Sequence, residues 1–141
     1  MSNIPPSLPP QASSPTSPGS DGYQTVQNII TGMMSLSKWP SIDGMFDRLA
    51  NDAKGGNFDG AQFKDPFATP SMDPYFETLD SNGNVVSNPN YTIGQAIQAA
   101  KEQFEQIKQL YNEGQASQST PLYSVLTNNL GRLGDIFYSK Q

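Results

Sequence analysis

The chain contains no cysteine and no histidine among its 141 residues. Lacking cysteine, it has no disulfide, zinc–thiolate or iron–sulfur site to support a small fold, so stability must come from an ordinary apolar core. Lacking histidine, it has no general base with an ordinary pKa near neutrality, and Ser-His-Asp, Cys-His and His-metal arrangements are excluded. Positive charge is scarce as well: eight Lys and Arg stand against 13 Asp and Glu, a net charge of −5. The cations Lys38, Arg48, Lys54, Lys64, Lys101, Lys108, Arg132 and Lys140 never come closer than six residues apart. That spacing argues against nucleic acid as a partner, because binding phosphates requires clustered cations. The longest apolar run, Ile29 to Met34, is broken by Thr31 and Gly32 and falls well short of the ~20 residues that span a bilayer. No apolar stretch follows an early cation, so no Sec-type leader is expected, and the final location stays open between virion and export.

Proline and serine are abundant only at the start. Residues 1–20 hold six of each, a composition that predicts an extended or disordered tail rather than a helix. Pro6-Ser7-Leu8-Pro9 fits PxxP without the basic residue that orients SH3 ligands. In composition, though not in any fixed motif, this uncharged start resembles the export signals of type III secretion substrates.

The remainder predicts a mainly α protein in three further parts: a helical corner over 21–55, an irregular aromatic arm over 56–91, and a C-terminal antiparallel helical hairpin over 92–141. Asp21-Gly22-Tyr23-Gln24 reads as a capping box, followed by an apolar stripe of Val26, Ile29, Ile30, Met33 and Leu36. Trp39-Pro40 breaks this helix near Lys38. Ser41 then caps a second helix with Ile42, Met45, Phe46, Leu49 and Ala53 on one face and a left-handed exit at Gly55-Gly56. Thr92-Ile93-Gly94-Gln95 is another capping box, opening a seam of Ile93, Ile97, Ala100, Phe104, Ile107 and Tyr111 with coiled-coil spacing. Thr120 and Pro121 open the last helix, whose stripe is Leu122, Val125, Leu126, Leu130, Leu133 and Phe137.

The stretch from Gly55 to Asn90 carries Phe58, Phe63, Phe67, Tyr75 and Phe76, five of the fourteen aromatics. Residues 77–86 predict a small hairpin with an Asn82-Gly83 turn of type I′, which needs positive φ at both central residues. Asp80, Asn82 and Asn84 begin like a calcium loop, but Val85 stands where that loop needs glycine and Tyr91 where it needs glutamate. Asp-Pro-aromatic occurs twice, at Asp65-Pro66-Phe67 and Asp73-Pro74-Tyr75, and makes a stiff turn that throws its aromatic outward. The surrounding string FKDPF resembles the Asp-Pro-Phe and Phe-x-Asp-x-Phe peptides by which endocytic accessory proteins engage clathrin adaptors. It spans five residues and is not carried further.

No catalytic, cofactor or metal residues are expected, because the acids flank apolar stripes as solvated faces rather than forming a pair. Residues expected to meet a partner are Trp39, Phe58, Phe63, Phe67, Tyr75, Phe76, Ile97, Phe104, Ile107 and Tyr111. The expected function is a non-enzymatic structural or assembly subunit, such as a minor phage or virus virion protein, bound to other protein subunits or to copies of itself. The alternative is an exported interaction protein, a type III secretion substrate or adaptor-binding effector.

Overall fold

A computed structural model describes residues 17–69 and 75–141. The protein is mainly helical with one small antiparallel sheet. Helix α1 (Pro18–Met33) leads through a 3-10 turn (Leu36–Lys38) into α2 (Trp39–Gly55). Strands β1 (Phe76–Leu79) and β2 (Val85–Asn88) follow, then α3 (Ile93–Asn112), a second 3-10 turn (Ala116–Ser119) and α4 (Thr120–Ser139). The helices pack in a ring, α1 on α2, α2 on α3, α3 on α4 and α4 on α1. One continuous apolar cluster fills the ring and takes in most of the expected stripe on each of the four helices, but not Leu36, Tyr111 or Val125.

Several helix ends differ from the sequence expectation. Helix α1 starts at Pro18, three residues before Asp21, because Ser17 accepts the Ser20 N–H (3.1 Å) and Pro18 enters the first turn, where its missing amide costs nothing. The expected tail therefore overlaps the helix, and residues 1–16, with their PxxP string, lie outside the described residues. Trp39-Pro40 opens α2 instead of closing α1, which ends at Met33. Ser41 sits inside α2 and donates to the Lys38 carbonyl (2.8 Å) rather than capping. Gly56 is right-handed (φ −89°), and the left-handed residue is Asn57 (φ 60°). Phe58 N–H bonds to the Ala53 carbonyl and Asn57 N–H to the Lys54 carbonyl, both at 3.0 Å, a Schellman closure with Asn in the place usually taken by Gly. Thr120 is the first helical residue of α4, and Ser119 holds the cap position without a side-chain bond to the helix. The Thr92 and Gln95 capping box is present as read.

The arm is tied down early. Phe63 N–H reaches the Tyr91 carbonyl (2.9 Å), and the Ala61 and Asp59 carbonyls take the Ile93 and Gly94 amides (both 2.8 Å), so the arm occupies donors at the start of α3. Between β1 and β2 the connection is 80–84 rather than a two-residue I′ turn. Only Gly83 has positive φ (81°), and the Asp80 carboxylate accepts the Asn82 and Asn84 amides (2.9 Å each). A longer loop with a left-handed glycine suits the twist of the strand pair without placing Asn82 in a strained conformation.

Helices α1 and α4 approach closely at Gly22, where a Cβ would fall 2.0 Å from Phe137 Cδ1. Glycine is required there by contact, not by backbone conformation.

Candidate functional site

Six of the ten expected partner residues, Phe58, Phe63, Phe76, Ile97, Phe104 and Ile107, are buried in the chain's own core. Trp39 and Tyr75 are half-buried, and Phe67 and Tyr111 are exposed. With Phe63 fully enclosed, the FKDPF string is not presented as an extended peptide. Its second half behaves as read: Asp65 Oδ1 accepts the Phe67 N–H (2.8 Å), and Phe67 points out against Tyr138, ring centroids 6.1 Å apart. Asp73 and Pro74 of the second unit lie outside the described residues.

At one end of the bundle an apolar surface forms. Trp39 is wedged edge-on between Phe104 and Tyr111, both 5.4 Å away, and its indole N–H donates to the Met33 carbonyl (3.1 Å). The hydrogen bond fixes the ring so that one side seals the core and the other meets solvent. Met34, Leu36 and Tyr111 are 78%, 50% and 42% exposed beside it. The Leu36 position extends the α1 stripe beyond the end of the helix, which is why periodicity assigned it to the core.

Polar groups meet in two places that the sequence did not reveal. The first joins β1 to α3 and α4. Asn129, fully buried, accepts the Glu77 N–H (2.8 Å) and donates to the Glu77 carbonyl (2.9 Å) and to Gln103 (3.1 Å). Gln103 also donates to the Glu77 carbonyl (3.0 Å), and Arg132 reaches the Glu77 carboxylate (3.3 Å). The Asn129 carboxamide thus serves the β1 edge as a neighbouring strand would.

The second is an acid pair, Asp65 of the arm and Asp135 of α4. Burial, then the Asp65 hydrogen bond and charge, push Asp135 up to about 6. Two carboxyls sharing a proton can do acid–base chemistry when water sits between them. Here the Asp65 Oδ2 is sealed from solvent and Oδ1 accepts the Phe67 N–H, so Asp65 is only 4% exposed at the edge of the cavity it shares with Asp135.

The faces of α2 and α3 carry ion pairs. Lys108 bridges Asp43 (2.8 Å) and Glu105 (2.9 Å), and Lys101 meets Asp47 (3.0 Å). Burial works to raise Asp43, but the side-chain contact with Glu105, the hydrogen bond from Lys108 and the lysine charges outweigh it and hold the group below the usual carboxylate range. A cleft of about 240 Å³ between the strands and α3 contains one acid, Glu102. Among the described residues no cluster of three metal-ligating side chains forms, and no helix is long and apolar enough to cross a membrane. The chain matches no protein-family model, no curated protein and no solved structure.

Proposed function

We propose that this chain is a non-enzymatic assembly subunit that docks onto other protein subunits, of the kind found as minor components of virions. One observation carries the reading: exposed Met34, Leu36 and Tyr111 with half-buried Trp39 bring an apolar surface to one end of the bundle. Tryptophan and tyrosine dominate binding hot spots because they offer large area at small entropic cost. The core closes within the chain, so docking rests on this surface and not on an incomplete interior. On this reading α3 and α4 form an antiparallel hairpin, and the Pro/Ser-rich residues 1–16 address a neighbour.

A photocrosslinking residue at position 36 or 111 in the producing cell tests it. Crosslinks to defined assembly subunits are expected, with none from exposed Asn51 on α2. A chain that remains uncrosslinked and monomeric by size exclusion with light scattering would sink the proposal. Deleting residues 2–16, which spares the Ser17 cap, separates assembly from export: lost incorporation favours the first, lost export with intact assembly the exported alternative.

A further inference from the structure

Among the described residues, the carbonyl-to-amide ties that fix the arm to the start of α3 come from residues 59–63. Residues 64–69 place the Phe67 ring beside Tyr138 and Asp65 beside Asp135 of α4, at the edge of a cavity of about 290 Å³ that Arg132 also lines. Asp65 is only 4% exposed, and among the described residues its Oδ2 receives no hydrogen bond when both acids are ionised. The Asp65 carboxyl lies within hydrogen-bonding reach of Asp135, and both line that cavity. A proton on Asp135 turns that contact from repulsion between two carboxylates into an O–H···O bond.

Among the described residues, Asp65 is the one charge that joins burial in raising Asp135. Arg132, one turn earlier on α4, lines the same cavity and also engages Glu77 of β1. On α1 the only charged residue is Asp21, whose charge acts on Asp52 of α2. On α3, Lys101, Glu105 and Lys108 face α2, and Glu102 faces the cleft by the strands. Lys64 of the arm is exposed, and Lys140 lies over the Phe58 ring, 5.6 Å from its centroid.

We propose that Asp65 and Asp135 form a latch held by one shared proton, which closes residues 64–69 onto α4 in mildly acidic medium and lets them open at neutral pH. Atoms balance simply: closing takes up one proton from solvent and opening returns it. The upward displacement of Asp135 to about 6, caused first by burial and then by Asp65, sets the window. The folded chain holds a proton that the unfolded chain, with its ordinary aspartate at 3.8, has given up. The latch is therefore complete below about pH 4 and is lost as pH rises through about 6.

Amide hydrogen exchange over residues 64–69 at about pH 5 and pH 7.5, corrected for intrinsic rates, tests the proposal. Protection is expected to fall about tenfold or more at the higher pH in the native chain. In Asp135→Asn, whose amide replaces the shared proton, protection should be equal at both. Equal protection at both pH values in the native chain, or a pH dependence that survives in the variant, would overturn the latch. So would protection restored at pH 7.5 by magnesium or calcium chloride but not by sodium chloride of equal ionic strength, since a metal ion would then be the clasp. If the variant does not fold, carbon-13 titration of the native carboxyls decides: one step near 6 is expected, and two ordinary aspartate steps would refute it.

Discussion

At the scale of single residues, Asn129 does most to join distant parts of the chain. Replacing it with alanine leaves the buried Glu77 amide without an acceptor and Gln103 without a donor. Each orphaned group costs about 1–3 kcal/mol. Asn129→Ala is therefore expected to destabilise by about 2–4 kcal/mol, read as a lowered urea midpoint with little change in slope. None of this was legible in the sequence, because Asn129 looks like a polar neighbour of Leu130 and its partner lies 52 residues away. The Asp65 and Asp135 contact was hidden for the same reason. By contrast Val26, Ile42, Leu49, Phe104 and Leu130 were readable as core from spacing alone, since helical periodicity is a local property.

At the scale of elements, helix interiors were easier to read than helix ends. A stripe averages over many residues, whereas a terminus depends on one or two hydrogen bonds that neighbouring candidates compete to make. Ser17 prevails over Asp21 because proline follows it, and Asn57, not Gly55 or Gly56, takes the left-handed position. The closure at Asn57 places Phe58 under the bundle, where its ring meets Phe137 edge-on at 5.1 Å. Asn tolerates left-handed backbone better than a residue without a short polar side chain, and Gly tolerates it best. Asn57→Ala should thus lose about 1 kcal/mol in thermal or urea unfolding, while Asn57→Gly should be neutral or slightly stabilising. The aromatic arm was read as irregular, and so it is apart from its strands. Its burial was missed because Phe63 and Phe76 fill space created by helices far away in sequence.

At the scale of the whole molecule, titrating groups oppose one another and shape the dependence of stability on pH. Asp135 and Asp52 are both raised, chiefly by burial, so their contributions fade as pH rises through their folded values. Asp43 is lowered, so its contribution is present above 3.8 and fades as pH falls through its folded value. Lys101 and Lys108 are raised. Partnership with Asp47 leads for Lys101, whereas for Lys108 the bonds to Asp43 and Glu105 outweigh burial. Their contributions persist below 10.5 and vanish as pH climbs through their folded values. The urea midpoint should therefore peak between about pH 4 and 5, decline toward 7, stay level to about 10 and drop beyond. A midpoint that rises from pH 5 to 7 would contradict the raised acids.

The close approach of Gly19 to the backbone of Lys140, where a Cβ would lie 2.5 Å from the carbonyl carbon, brings the beginning of α1 and the end of α4 side by side. Circular permutation is the natural consequence. A short flexible splice from Gln141 to Ser17, with new termini cut between Asn82 and Gly83 in the exposed strand connection, would reorder the polypeptide while leaving every helix whole.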